Sequence, residues 1–247
     1  RAVPWDDPGF DWASARSVVL RSPWDYTRRR DEFLAWARGV ASVTALHNPL
    51  AVIERNSEKS YLADLARRGV PVVPTEIVEP GDVRDLEAFL RDRGWDEAVV
   101  KPAVSAGSWR THRVRRGEAS HEWTRARRLV AVTRCLVQPF LPSVTGPGER
   151  ALVVIDGELT HAVRKRSAFE PADVPFRVPV APAADERALA ARERADELLL
   201  VLALEVELAD VGARLHAHLA QHHLVRAVGD LDEDGLLRIE RLALLVH

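Results

Sequence analysis

Apolar positions in the first hundred residues fall into short β-rich runs and helical stripes. The run 17–21 (SVVLR) predicts a short buried strand that Ser22-Pro23 ends. Residues 28–38 read as a helix with Phe33, Leu34 and Trp36 inward and Gly39 as its C-terminal cap. A second helix spans about 57–68, with Ser57 as N-cap, Tyr61, Leu62 and Leu65 as its apolar stripe, and Gly69 closing it. Residues 70–78 are β-rich but broken by Pro71 and Pro74, which suits an edge strand or a domain crossing. A third helix, 82–93, ends at Gly94.

Beyond this point the pattern turns mostly to strands. Segments 97–101, 109–114, 136–140 and 151–155 are strand candidates, with a helix over 118–132. Asp156-Gly157 predicts a hairpin turn into 158–166. A proline-rich loop covers 171–182, helical patterns run over 185–208 and 209–223, and 225–230 with 236–242 suggest a hairpin around Asp234-Gly235. No internal repeat appears.

Composition narrows the classes. The chain has 247 residues, 47% hydrophobic and 29% charged, enough for a buried core and too apolar for a disordered chain. The longest apolar stretch, 198–208, is broken by Glu205 and Glu207 and is too short for a membrane span. A net charge of −2 argues against general nucleic-acid affinity. The single cysteine, Cys135, excludes an internal disulfide framework and suits a cytoplasmic protein. Preceding a buried strand and with no obvious thiolate-stabilising neighbour, it reads as an inert core residue. With no methionine, the chain is expected to be a fragment or truncated product whose first strand and helix are missing.

Lysine usage points to chemistry. Only Lys59, Lys101 and Lys165 occur, and every other basic residue is arginine. Lysine is a compact point charge, where arginine is a planar fork, so lysine here is a specific choice. Lys101 ends a predicted strand and precedes Pro102 and the small-residue loop Ser105, Ala106, Gly107, Ser108. One ammonium and several backbone N–H groups at such a place can surround a phosphate. The same residues also suit a plain turn between antiparallel strands.

The order of segments favours the phosphate reading. NSEKSYLADLARRGVPVVPT (56–75), VVKPAVSAGS (99–108), LVQPFLPSV (136–144) and GERALVVIDGELTHAVRKR (148–166) together resemble the ATP-grasp superfamily, in particular its glutathione-synthetase-like members. The block RSPWDYTRRRDEFLAWA (21–37) resembles the O-ureido-D-serine cyclo-ligase subgroup. The resemblance implies an α/β (α+β) ATP-grasp fold in which two β-rich subdomains clamp ATP. It divides the chain into a partial N-terminal α/β domain (1–55) and an ATP-grasp domain (56–247), with subdomains at about 56–135 and 136–247. It further implies an ATP- and Mg²⁺-dependent ligase that joins a carboxylate to an amine or amide nitrogen through an acylphosphate. The partner is then a small amino-acid-like substrate, with neither nucleic acid nor membrane involved.

Roles carry over position by position. Lys59 and Lys101 match lysines that contact nucleotide phosphates, and Ser105, Ala106, Gly107 and Ser108 match the loop that closes over them. Gln138 and the backbone of Phe140 match the strand that reads the adenine edge. Arg164 matches an arginine facing the transferred phosphate or the substrate carboxylate, and strand alternation sends its neighbour Lys165 to the opposite face. Arg21, Asp25 and Tyr26 follow the first strand, where open α/β sheets bind ligands, and are read as substrate contacts. Trp24 and Tyr26 suit a cover over the sheet end equally well.

The tail departs from the family pattern. Asp230 and Glu240 fit two magnesium carboxylates, but Leu242 stands where another ligand is expected. With a turn at 232–235, Glu240 would lie opposite Ala227, and Asp230 opposite Leu237. A degenerate nucleotide-binding protein without ligase activity is therefore the alternative reading. Asp230, Asp232, Asp234 and Gly235 also spell half of an EF-hand loop, but Arg241 occupies the closing Glu position. His218 and His222 have zinc-clamp spacing without a third ligand, so a solvated helix face is the better reading.

Overall fold

The computed structural model describes residues 1–193, apart from 22, 146–147, 156–157, 172 and 176, together with 227–228 and 241–242. The first elements in chain order are β1 (Ser17–Val19), α1 (Arg30–Val43), β2 (Ala45–His47), α2 (Leu50–Asn56) and α3 (Tyr61–Arg67). Next come β3 (Glu76–Val78), α4 (Leu86–Asp92), β4 (Glu97–Pro102), β5 (His112–Arg115), α5 (His121–Val132) and β6 (Cys135–Pro139). They are followed by β7 (Glu149–Ile155), β8 (Glu158–Lys165), β9 (Arg177–Val180), α6 (Ala184–Glu193), β10 (Ala227–Val228) and β11 (Arg241–Leu242). Among the described residues, no helix is long and apolar enough to cross a membrane. Two compact units emerge: Asn56–Gly148 with Ser167–Val174, and Arg1–Arg55 with Glu149–Arg166 and the described part of Pro175–His247.

The unit beginning at Asn56 is organised by a four-stranded antiparallel sheet of order β3-β6-β4-β5. Strict alternation along β4 buries Ala98, Val100 and Pro102 and leaves Glu97, Val99 and Lys101 partly exposed. The buried side joins Val78, Leu86, Leu90, Val114, Leu129 and Val137 in one core. Both helices that cover it start on side-chain caps. Asp85 accepts from the Glu87 and Ala88 amides ahead of α4, and Ser120 accepts from the Trp123 amide ahead of α5.

The other unit contains the parallel pair β1–β2 and the antiparallel sheet β7-β8-β9. Helix α1 buries Phe33, Leu34, Ala37 and Val40. Trp5, Trp12 and Phe33 surround Trp36 at ring separations of 5.9, 5.2 and 5.6 Å. Arg150 joins β7 to α6, donating to Glu186 Oε2 at 2.8 Å and to the Ala181 carbonyl at 2.9 Å.

Several expectations are corrected. Gly39 does not cap α1. The helix continues to Val43, because Val40 extends the buried stripe and one internal glycine costs only about 1 kcal/mol. The helix expected over 57–68 is shorter, and Ser57 does not cap it. Lys59 sits in the turn ahead of α3, its amide donating to the Ala103 carbonyl at 2.9 Å instead of joining a helix. The loop expected over 171–182 contains β9, an edge strand where Pro179 needs no ladder N–H. Strand β2, missed in the sequence, is three residues long and pairs with β1. The turn at 156–157, the helical patterns beyond 193, His218 and His222 lie outside the described residues. In the tail, Ala227 pairs with Leu242, not with Glu240.

The core makes a direct prediction. Leu90 has 0% exposure, so Leu90→Ala should lower stability by about 2–5 kcal/mol through lost burial and a residual cavity. Val132→Ala, at a position 73% exposed, should change it by less than about 0.5 kcal/mol. Urea unfolding midpoints of the two variants check the contrast.

Candidate functional site

Residues directly opposite in an antiparallel pair project to the same side of the sheet. Val99 lies opposite both Gln138 and Arg113, Glu97 opposite Arg115, and Lys101 opposite Leu136. Glu97, Val99, Lys101, Arg113, Arg115, Leu136 and Gln138 therefore share the face turned away from the helices. Sequence reading selected Lys101 and Gln138, and the register brings them to adjacent strands on one side.

Lys59 reaches this sheet through the loop that follows β4. Its Nζ donates to the Ser105 carbonyl and, at 3.0 Å, to Ser105 Oγ, across 46 positions of chain. Ser105 Oγ in turn donates to the Pro102 carbonyl at 3.1 Å. Main-chain bonds add to the tie: Lys59 N–H to Ala103 O and Ala103 N–H to Arg134 O, both 2.9 Å. The loop turns through left-handed backbone at Gly107 and Ser108, with φ of 57° and 58°, and again at Arg110. This delays β5 to His112, three residues later than the sequence pattern suggested. Ala106 closes the turn, its carbonyl accepting from the Trp109 amide at 3.1 Å.

Gln138 is only 7% exposed, and its Nε2 donates to Thr75 Oγ1 at 2.7 Å. Phe140 follows β6 and donates its amide to the Glu97 carbonyl at 2.9 Å. That N–H can read a base edge only by breaking this bond. The Phe140 ring lies between the Arg113 guanidinium, 3.6 Å from its centroid, and the edge of Phe169 at 5.7 Å. Arg113 is itself held by Glu97 through an Nε bond of 2.8 Å, and Arg115 joins the same carboxylate. The hydrogen bond from Arg113, followed by that from Arg115, holds the Glu97 carboxyl below the usual carboxylate range. Sequence reading missed Glu97, Arg113, Thr75 and Phe169. The alternation His112-Arg113-Val114-Arg115 opposite Glu97 was the available signal for the first two.

The remaining residues belong to the other unit. Arg164 lies opposite Arg150 and Val178, on the face where Arg150 meets α6. Lys165 takes the opposite face, with Nζ 3.7 Å from Glu149. Arg21 follows β1, and partial burial lowers its pKa. Asp25 accepts from Trp5 Nε1 at 2.9 Å and from Arg29 at 3.4 Å, and Tyr26 packs against Phe33 at 5.6 Å. Both thus take part in closing the aromatic cluster. Cys135 is buried, its thiol pushed up to about 12 by desolvation and donating to the Thr133 carbonyl at 3.1 Å. It is no nucleophile. Among the described residues, no group of three or more His, Cys, Asp or Glu could hold a metal ion. Asp230 and Glu240, and with them Asp232 and Asp234, lie outside the described residues.

Residues 1–48 match the family of the D-cycloserine synthetase DcsG N-terminal domain. The cycloserine biosynthesis protein DcsG of Streptomyces lavendulae is 38% identical over 173 residues, covering 68% of this chain and 57% of that protein. The chain thus spans less than two thirds of that relative's length. The crystal structure of D-cycloserine synthetase DcsG has a TM-score of 0.69 at 32% identity, covering 98% of this chain and 80% of that one. The ATP-grasp ligase PsnB, complexed with a phosphomimetic variant of a minimal precursor, Mg and ADP, has a TM-score of 0.45 at 19% identity. That match covers 92% of this chain and 67% of the PsnB chain.

The Glu97 cluster makes the stability of the sheet pH-dependent. A carboxyl with a lowered folded pKa adds stability above its unfolded value and loses that contribution as pH falls through the folded one. Glu97→Gln should therefore flatten the loss of stability below about pH 4.3, the ordinary glutamate value. Urea midpoints at pH 7 and pH 3 check this, with a smaller difference expected in the variant.

Proposed function

Because the chain belongs to the family of the cycloserine biosynthesis protein DcsG, we propose that it is an ATP-grasp enzyme, an ATP-dependent ligase that joins a carboxylate to an amine or amide nitrogen, with Mg²⁺ accompanying the nucleotide. The observation that carries this reading is the bond of Lys59 to Ser105, in the loop that leaves the Lys101 strand. Two of the chain's three lysines are thereby associated with one small-residue loop. Such a place suits the phosphates of a nucleotide, since compact ammonium charges and backbone amides both favour phosphate oxygens.

In the proposed reaction the substrate carboxylate attacks the γ-phosphorus of ATP, giving an acylphosphate and ADP. The nitrogen then attacks the acyl carbon, expels phosphate and loses a proton. Where nitrogen and carboxylate belong to one molecule, the product is a ring, and the likeness to D-cycloserine synthetase favours this course with an amino-acid-like substrate. Lys59 and Lys101 offset phosphate charge, the 105–108 loop shields it from water, and Gln138 with the Phe140 segment holds the base. Arg164 faces the transferred phosphate or the carboxylate. These are contributions of positioning and electrostatics. Among the described residues no carboxylate cluster suits the cation. Asp230 and Glu240 are its proposed ligands.

ADP release from Mg-ATP with amino-acid-like carboxylates tests the reading. Lys101→Ala should lower the rate by about 10²–10³-fold while the protein stays folded, the usual cost of removing a preorganised charge. Lys101→Arg should be nearly as impaired, because a planar fork replaces a point charge. Nucleotide binding without ADP release for any substrate would favour a degenerate binding protein instead.

A further inference from the structure

Gln138 sits in a row of residues that crosses the four-stranded sheet. Glu76 pairs with Val137, so Thr75, just before β3, falls level with Gln138. On its other side Gln138 lies opposite Val99, and Val99 lies opposite Arg113. All four share the face turned away from α4 and α5. Of the two neighbours of Gln138 in that row, Val99 offers no polar side-chain atom and Thr75 offers a hydroxyl.

That hydroxyl fixes which end of the Gln138 amide points where. Thr75 Oγ1 lies 2.7 Å from the Val73 carbonyl oxygen and 2.7 Å from Gln138 Nε2. A carbonyl carries no proton, so the single hydroxyl proton of Thr75 goes to Val73. Thr75 then accepts from Gln138, and the side-chain amide must turn its NH₂ toward Thr75. The two ends of such an amide have nearly the same shape, so this chain of donors, not packing, tells them apart. Oε1 is left pointing elsewhere. It accepts no hydrogen bond from the described residues and is not a fully buried atom, so it keeps surface that a ligand can touch.

An oxygen that only accepts discriminates between bases. It takes a hydrogen bond from a 6-amino purine, whereas a 6-oxo purine sets another acceptor against it. A freely turning amide makes no such choice, because its NH₂ serves the oxo base as well as its oxygen serves the amino base. We propose that Thr75 is a positioning residue for nucleotide selectivity: by holding the Gln138 amide through Nε2, it aims Oε1 at the 6-amino group of adenine and disfavours 6-oxo purine nucleotides. That a nucleotide binds here rests on the ligase reading, whereas the direction of the amide rests on the chain from Gln138 through Thr75 to Val73.

The test is calorimetric titration of the full chain with Mg-ATP and with Mg-ITP, which has the same sugar and phosphates but an oxo group at position 6. The unaltered protein is expected to bind ATP more tightly. Thr75→Val keeps the shape of the side chain and removes the hydroxyl, so the amide is free to turn. The preference for ATP should then fall about tenfold, the scale of one hydrogen bond, chiefly because ITP binds better. Thr75→Ser keeps the hydroxyl and should keep the preference. Combining Thr75→Val with Gln138→Glu places a carboxylate there, which has no donor end to turn, and should restore it. Urea midpoints check folding, and Thr75→Ala, which also lacks the acceptor, replaces the valine variant if that one does not fold. A hydroxyl-free variant with an unchanged preference overturns the positioning role, as does equal weakening of both nucleotides or a double variant without the preference. Failures of the two readings differ. An unaltered protein that binds both nucleotides equally removes the selectivity and leaves the ligase standing, and one that binds neither removes the nucleotide reading and the selectivity with it.

Discussion

Strand β4 is the element on which the candidate nucleotide site depends. It is hydrogen-bonded on both sides, to β6 and β5, so its register cannot slip without breaking two ladders. A slip of one residue would drive Lys101 and Glu97 into the core and turn Val100 outward. The packing of Ala98 and Val100 against α4 and α5 thus sets the direction of the charged residues, and the hydrophobic core and the chemistry are two faces of one alternation.

A second constraint is the attachment of Lys59. Its amide and its ammonium both end on the segment just after β4, and Ser105 is pinned between Lys59 and Pro102. The contact orders a loop with two consecutive left-handed residues, which has few side-chain anchors of its own. Around Phe140 the same economy appears. Glu97 accepts through its backbone from the Phe140 amide and through its side chain from Arg113, whose guanidinium covers the Phe140 ring. One residue thereby holds both the backbone and the ring of the position expected to meet the base.

The amino-terminal segment works differently. Its tryptophans and phenylalanines form a dense cluster that draws in Asp25 and Tyr26, residues whose place after the first strand suggested ligand contacts. Asn48, which carried no motif, has a buried side-chain oxygen without a partner among the described residues, and Trp36 within the cluster has a buried Nε1 in the same state. Polar residue type at a strand end is a poor guide to a site, because such residues also serve as mortar for neighbouring aromatics.

Much of the fold was legible in the residues themselves. The strand pattern of β4, the apolar run of β6, the helix that became α5 and the strands either side of Asp156-Gly157 depend on near neighbours and on periodicity, which a linear string records. The rarity of lysine likewise marked Lys59 and Lys101. What the string did not record were choices made by distant partners. Gly39 stays helical because Val40 is buried, Lys59 leaves the helix because Ala103 takes its amide, and Pro179 joins a sheet because its strand is an edge. Local propensities differ by about 1 kcal/mol, less than one well-placed burial can contribute. So the sequence by itself determined which residues could do chemistry and which strands could form. Only the tertiary structure decided which of those residues meet, because those meetings are settled by hydrogen bonds and packing between segments far apart in the chain.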